Sequence, residues 1–292
     1  MIHIFTPKLW KEYQLIDCGD FEKLEKFGKY TLRRPEPQAV WKKVLSEKEW
    51  ESKTDVQFKA SGSHKGEWLF KPGFKEPWHI SYFLPDAELK FKLNLTAFKH
   101  LGIFPEQASN WEYIFKTISS FKSDVRLPKV LNLFAYTGGA SLAAKAAGAD
   151  VTHVDSVKQV INWAGENQAL SGLKDIRWVV EDAMKFAERE AKRGNLYNGI
   201  ILDPPAYGIG ANGERWKLEE MIDKLLFTLS KILAPENRFL ILNSYSLGFS
   251  SLIVKNLLQR NFTNIQSLET GELVLKAQSG VDLPLGVIGR MR

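Results

Sequence analysis

From Val130 onward, short apolar runs ending in polar or glycine residues alternate with stretches of helical spacing, and few folds accommodate that pattern. The runs Val130–Phe134, Asp150–Asp155, Ile176–Glu181, Gly199–Asp203 and Phe239–Asn243 read as strands. The segments Ala140–Ala147, Val157–Leu170, Ala183–Lys192, Glu214–Leu233 and Ser250–Gln259 read as helices. Strands that alternate with helices make a parallel sheet covered on both faces. Ser156 and Gln159 have the spacing of a capping box at the second helix, and Gly172 and Gly194 sit where the second and third helices would stop.

Before this point the pattern differs. Glu88–Leu95 alternates apolar and polar residues strictly, as a strand with one wet face does. Trp68–Phe70 and Trp78–Phe83 read as further strands, separated by the breakers Pro72-Gly73 and Glu76-Pro77. Ala108–Ser120 places apolar residues at 111, 114, 115 and 118, a helical spacing, and Phe121–Lys129 reads as the connection that follows. The expected organisation is a β-rich, mostly antiparallel module over 1–107, a helix and connection over 108–129, and the α/β domain over 130–292. With 44% hydrophobic and 25% charged residues in 292, the chain has the material for a real core.

Several classes are disfavoured. One cysteine, Cys18, allows no intramolecular disulfide and no paired-cysteine metal or redox site. The longest uncharged runs, Val130–Ala144 and Phe239–Val254, contain glycine or polar residues and fall short of the roughly 18–20 apolar residues of a membrane span. The expectation is a cytoplasmic protein that does not enter a membrane. His3, His64, His79, His100 and His153 show no metal-ligand spacing, and no metal is expected. A formal charge of +6 permits an anionic partner such as RNA. Lys23, Lys26, Lys29, Arg33 and Arg34, interleaved with Phe27 and Tyr30, read either as part of such a surface or as an ordinary solvated face.

Open parallel sheets hold ligands at the carboxyl ends of their strands. The first strand ends in Phe134-Ala-Tyr-Thr-Gly-Gly-Ala-Ser141. Its two glycines let backbone approach a ligand closely, or simply turn strand into helix. It is neither a GxGxxG fingerprint nor a phosphate-binding P-loop. Asp155, at the end of the second strand, lies 17 positions beyond Gly138. An acid near that spacing accepts hydrogen bonds from ribose hydroxyls, or else caps the next helix. Glu181-Asp182-Ala183 ends the third strand and offers an acid to an adenine amine, or again a cap. Asp203-Pro-Pro-Ala-Tyr-Gly208 is the most specific segment. Two prolines cannot continue a ladder, so the chain leaves the sheet extended, able to present carbonyls and an aromatic ring to a flat substrate.

VLNLFAYTGGAS, HVDSVKQVINWAGENQALSGL, EDA and DPPAYG resemble the motifs of class I S-adenosylmethionine (SAM)-dependent methyltransferases, in particular the branch of the bacterial 23S ribosomal RNA cytosine methyltransferases. Leu15–Trp41 and Phe98–Trp111 are similar to segments of bacterial proteins described only as SAM-dependent methyltransferases. The resemblance implies a Rossmann-like, seven-stranded sheet whose last strand is antiparallel, with Glu272–Leu275 and Gly286–Arg290 as the final two strands. It implies a SAM site made by Phe104, Gln107, Asn132, Phe134, Tyr136, Thr137, Gly138, Gly139, Asp155, Ser156, Asp182, Ala183 and Asp203. Phe104, Glu106 and Gln107 match a cofactor-covering stretch of the relatives in which Ala108 replaces the usual Arg. The catalytic segment would be Asp203, Pro204, Pro205 and Tyr207.

Two departures from the family pattern bear on function. The extra RNA-binding domain of the cytosine enzymes is not recognisable in the first hundred residues. The segment after the fifth strand, where those relatives carry cysteines, reads Asn243-Ser-Tyr-Ser-Leu247. A serine hydroxyl is a far weaker nucleophile than a thiol at neutral pH. The expectation is RNA methylation at a nitrogen or oxygen without a cysteine adduct. Methylation of a protein or small molecule, and a noncatalytic SAM- or RNA-binding role, stay open at this point.

Overall fold

The computed structural model describes all residues except 1, 2, 9, 62–65, 98, 122–126, 211, 212, 214, 246 and 247. The chain opens with β1 (Ile4–Phe5). It continues through β2 (Tyr13–Gly19), β3 (Glu22–Phe27), β4 (Tyr30–Pro35), α1 (Glu47–Lys53), β5 (Val56–Ala60), β6 (Gly66–Phe70), β7 (Trp78–Leu84) and β8 (Ala87–Leu93). A single 3-10 turn, Pro105–Gln107, precedes α2 (Ala108–Ser119). Then come β9 (Lys129–Leu133), α3 (Gly139–Ala146), β10 (Asp150–Asp155), α4 (Lys158–Leu170), β11 (Ile176–Val180), α5 (Ala183–Arg193) and β12 (Gly199–Leu202). The last elements are β13 (Tyr207–Ile209), β14 (Arg215–Lys217), α6 (Leu218–Ser230), β15 (Phe239–Ser244), α7 (Ser251–Asn261), β16 (Leu268–Lys276) and β17 (Asp282–Met291).

Two compact units result. One comprises residues 6–108 and 274–285 and contains a five-stranded sheet in the order β2-β3-β4-β5-β6 and the β7–β8 hairpin. All its pairings are antiparallel except β4 with β5. Its interior is aromatic and charged at once. Trp50, Phe27 and Phe91 are fully buried, and so are the carboxylates of Asp17 and Glu25. Asp17 is satisfied by the amide of Leu45 and the indole N–H of Trp50, each 2.9 Å from Oδ2. Glu25 Oε2 accepts from Nη2 and Nε of Arg34, at 2.6 and 3.0 Å, and Oε1 accepts from the Tyr13 hydroxyl at 2.9 Å.

The other unit, residues 1–5, 109–273 and 286–292, holds an eight-stranded sheet in the order β1-β16-β17-β15-β12-β9-β10-β11. Strands β9 to β12 and β15 run parallel, and β17 is antiparallel to β15. The seven expected strands are all present, and the two-residue β1 adds an eighth at the edge of β16. The central strands are hydrophobic on both faces because helices cover both. Leu131, Leu133, Val154, Ile200, Leu202, Leu240 and Leu242 are buried against Phe186 and Ala187 of α5 and Leu225, Leu226 and Leu229 of α6. Each of the Leu, Ile, Val and Phe side chains contributes about 1.5–3 kcal/mol by leaving water.

Strands β16 and β17 run longer than the expected Glu272–Leu275 and Gly286–Arg290, and two further departures lie near the carboxyl ends of the strands. The helix expected from Glu214 starts at Leu218 instead, because Arg215–Lys217 pairs with Tyr207–Ile209 as a hairpin, and Glu214 itself lies outside the described residues. The Ser156–Gln159 capping box does not form. The N-cap of α4 is Val157, without a side-chain cap bond, and Asp155 Oδ1 takes the Val157 amide at 2.9 Å. An Asp side chain accepting from the amide two residues on forms a local turn that displaces the serine cap. Gly194 does cap α5, at φ 66°. Within the expected connection Phe121–Lys129, residues 122–126 lie outside the described set. No helix of the described residues is long and apolar enough to cross a membrane.

Candidate active site

Strand register sets the site. Leu133 pairs with Val154 on one side and Leu202 on the other, and Leu202 pairs with Leu242. The next residue of each strand, Phe134, Asp155, Asp203 and Asn243, therefore stands in one row along the carboxyl edge. Asp155 pairs with Val180, so Glu181 and Asp182 follow just beyond the row on β11. From β12 to β11 the row crosses three strand gaps, about 14 Å. Sequence order reverses direction between β9 and β12, which makes this the switch point where open α/β sheets bind ligands.

The loop after β9 is held in an uncommon backbone form. Phe134 and Tyr136 have φ of 54° and 49°, a left-handed region that side chains rarely adopt. Gly138, at φ 93°, is the left-handed N-cap of α3. Asp155 helps to hold the loop, since its Oδ2 accepts the Tyr136 amide at 3.0 Å. Burial raises the Asp155 pKa, while the amides of Val157, Tyr136 and Ser156 pull it back. Beneath the loop, the buried Asn132 amide donates to the Ser141 hydroxyl at 2.9 Å, and Ser141 lies 3.0 Å from His153 Nδ1. Burial pushes the His153 pKa down to about 3, so the imidazole is neutral. Thr137 is buried and its carbonyl accepts from Asn167.

Gly139 is where α3 meets α2. A methyl group there would lie 2.6 Å from Trp111 Cζ2. Gly139→Ala is expected to force the indole or α3 aside, with a stability cost of about 1–3 kcal/mol. Thermal unfolding with calorimetry of SAM binding checks this; an unchanged melting temperature would refute the packing argument. The sequence expectation named Gly139 but gave no sign of Trp111 as its partner.

Asp182 is the N-cap of α5 and accepts the Lys185 amide at 2.9 Å through Oδ1. Ala183 begins that helix, buried. Ser156 is partly exposed at the turn between β10 and α4. After β12, Asp203 is half-buried and Pro204 buried, while Pro205 and Tyr207 are exposed. The Trp216 indole donates to the Pro205 carbonyl at 2.6 Å, and its ring lies 4.9 Å from Phe134. Trp216, which sequence reading did not single out, thus ties the Pro-Pro segment to the β9 loop. Its only signal was a tryptophan between two cations. Phe104 and Gln107 belong to the first unit, where the Gln107 amide donates to the Phe104 carbonyl at 3.1 Å. Neighbouring Glu106 is pushed by burial to a pKa of about 6.

The segment after β15 offers no thiol. Asn243 Oδ1 accepts from Asn110 Nδ2 at 3.1 Å, and Asn110 Oδ1 accepts from Arg290 at 2.7 and 3.0 Å. Ser244 is buried; Ser246 and Leu247 lie outside the described residues. Cys18 lies on β2 of the first unit, fully buried, and burial pushes its pKa up to about 11. Among the described residues no group of three or more His, Cys, Asp or Glu side chains gathers as a metal site, and His64 is not among them.

Most of the cationic-aromatic run of β3 and β4 is paired or packed within its own unit rather than left as an open cationic face. Arg34 pairs with Glu25, Lys23 with Glu25 and Glu36, and Arg33 with Glu22 and Glu47. Phe27 and Tyr30 are buried, leaving Lys26 and Lys29 exposed. Lys23, Glu25 and Phe27 alternate onto one face of β3, opposite Arg34, Leu32 and Tyr30 of β4, and that face is turned into the unit.

A SAM-dependent methyltransferase from Agrobacterium tumefaciens has a similar structure over 99% of this chain and 93% of its own, with 38% identity and a TM-score of 0.91. A Streptococcus mutans protein described as a SAM-dependent methyltransferase shares the fold over 96% of this chain and 74% of its own at 17% identity, TM-score 0.71. Ribosomal RNA large subunit methyltransferase K/L of Shewanella baltica is 34% identical over 191 residues, covering 61% of this chain and 24% of the relative. The chain thus spans about a quarter of the length of the curated relatives it matches. Residues 53–267 match the S-adenosylmethionine-dependent methyltransferases, and the chain belongs to that family.

Proposed function

We propose that this protein methylates RNA, at a nitrogen or oxygen, without a cysteine adduct. The observation that carries the reading is the row Phe134, Asp155, Asp203 with the Pro-Pro segment beside it, in a chain whose one thiol is buried elsewhere. The ribosomal RNA relatives support the nucleic-acid target. The cytoplasm is the compartment such a target implies.

The residues fit SAM. Asp155 offers carboxylate oxygens for a ribose diol, and Asp182 an acceptor for an adenine amine. The Phe134–Gly139 backbone, held left-handed at Phe134, Tyr136 and Gly138, supplies amides and carbonyls for an amino-acid moiety. Strained backbone of this kind gathers at ligand sites. When bound, SAM supplies a methyl group already activated by its sulfonium. The protein's share is alignment: Asp203 and the Pro204 carbonyl accept hydrogen bonds from the target nucleophile, and exposed Tyr207 stacks on the base.

Methyl-labelled SAM, incubated with the protein and an extract of cells lacking it, should place label in a ribonuclease-sensitive fraction. Cys18→Ala should retain that label, because a buried thiol with a raised pKa is no nucleophile. Label in protein or small solutes would refute the RNA target, and its loss in Cys18→Ala would refute the adduct-free route.

A further inference from the structure

We infer that the β13–β14 hairpin is the surface that grips the strand on either side of the target base, and that its ligand is single-stranded RNA. This rests on the RNA reading above, in which Tyr207 stacks on the target base, and adds Ile209, Arg215 and Lys217, which that reading does not use. The two strands pair Tyr207 with Lys217, Gly208 with Trp216 and Ile209 with Arg215. Side chains alternate across a strand, so Tyr207, Ile209, Arg215 and Lys217 share one face and Trp216 the other. Exposure follows that division. Tyr207 and Ile209 are 58% and 64% exposed, Arg215 and Lys217 are exposed, and Trp216 is 5% exposed.

The inner residue anchors the hairpin. Trp216 is bonded to the Pro205 carbonyl and packed on Phe134, and the Leu218 amide donates to the Ala206 carbonyl at 3.0 Å. The outer face is therefore fixed next to Asp203 while its own side chains point to water. An aromatic ring, an apolar side chain and two cations on one rigid strip match the parts of single-stranded nucleic acid: a base to stack, a sugar to cover and phosphates to neutralise. The cations are available. Among the described residues Lys217 forms an ion pair only with Glu220, an exposed contact that exchanges readily with a phosphate. Arg215 makes no ion pair among the described residues. The β3–β4 run, by contrast, has Lys23 and Arg34 paired with the buried Glu25 and Arg33 paired with Glu22 and Glu47.

The test uses a short, labelled, mixed-sequence single-stranded RNA oligonucleotide and the variant Arg215→Ala/Lys217→Ala. Both residues are exposed and outside the cofactor row, so calorimetric SAM binding serves as the folding control and should not change. The variant is expected to bind the oligonucleotide several-fold more weakly. Each phosphate contact on a single strand contributes about 0.7 to the slope of log affinity against log salt, so the slope should shrink by about 1.4. A wild-type protein that does not bind the oligonucleotide, or a variant with unchanged affinity and slope, overturns the hairpin assignment. The RNA reading is judged separately by labelling and falls only if the methyl group enters protein or small solutes.

Discussion

Asp203→Ala is expected to lower turnover at saturating cofactor by about 10²- to 10⁴-fold, the range lost when a group that manages the reacting proton is removed. The position explains why. Asp203 is the first residue past Leu202, whose neighbours Leu133 and Leu242 mark the sheet edge on both sides. The prolines that follow have no amide hydrogen and cannot rejoin a ladder, so the segment stands off the sheet as a fixed bracket. The Trp216 indole donates to the Pro205 carbonyl and so pins the segment that follows Asp203. Asp203→Asn should lie between wild type and Asp203→Ala, because it keeps a neutral carbonyl acceptor and loses the charge. If Asp203 acts on the nucleophile, KM for SAM should move by no more than about threefold while kcat collapses. Full turnover in Asp203→Ala would remove Asp203 from the chemistry, and a loss confined to KM for SAM would make it a cofactor contact alone.

How much of this was legible in sequence depended on whether burial followed a simple period. The parallel strands were, because residues such as Val151, Val154, Ile200, Ile201, Leu240 and Ile241 are apolar on both faces; β10 begins and ends where its sequence pattern does, Asp150–Asp155. Asp155 and Asp203 stood out for the same reason, as the first acids after such runs. The strands β2 to β4 did not, because their inward positions include Asp17, Lys23, Glu25 and Arg34, which break any apolar-polar alternation. The hairpin escaped notice because three-residue strands leave a single buried residue, Trp216, as their trace. The capping box was a local signal overridden by a competitor two residues away, since the Asp155 carboxylate reached the helix amide first. For β2 to β4 and for the cap, a charged or short-range polar contact decided the structure, and hydrophobic periodicity does not encode such contacts.

The buried ion pair in the first unit predicts the largest loss of stability. Arg34→Met is expected to destabilise the protein by about 3–5 kcal/mol, because it leaves Glu25 buried without its arginine partner. In the wild type, burial pushes the Glu25 pKa up, but the charges of Arg34 and Lys23 and the hydrogen bonds from Arg34 and Tyr13 outweigh it and hold the pKa below the ordinary carboxylate value. A carboxylate with a depressed folded pKa contributes stability above its unfolded pKa, about 4.3, and that contribution is lost as pH falls through the folded value. Without Arg34 the sign reverses. Lys23, 3.6 Å away and shared with Glu36, is the remaining cation, and burial then lifts the Glu25 pKa above its unfolded value. Such a group stabilises the fold only while protonated, so the variant weakens as pH rises. The gap between wild type and Arg34→Met should therefore widen from about pH 4 to about pH 7. Glu25→Met/Arg34→Met removes both charges together and should cost less than Arg34→Met alone, since an apolar pair of similar volume has no charge to desolvate. Urea unfolding at the two pH values measures all three proteins. A penalty under about 1 kcal/mol, or one that does not grow with pH, would show that Glu25 is held by its hydrogen bonds rather than by the Arg34 charge.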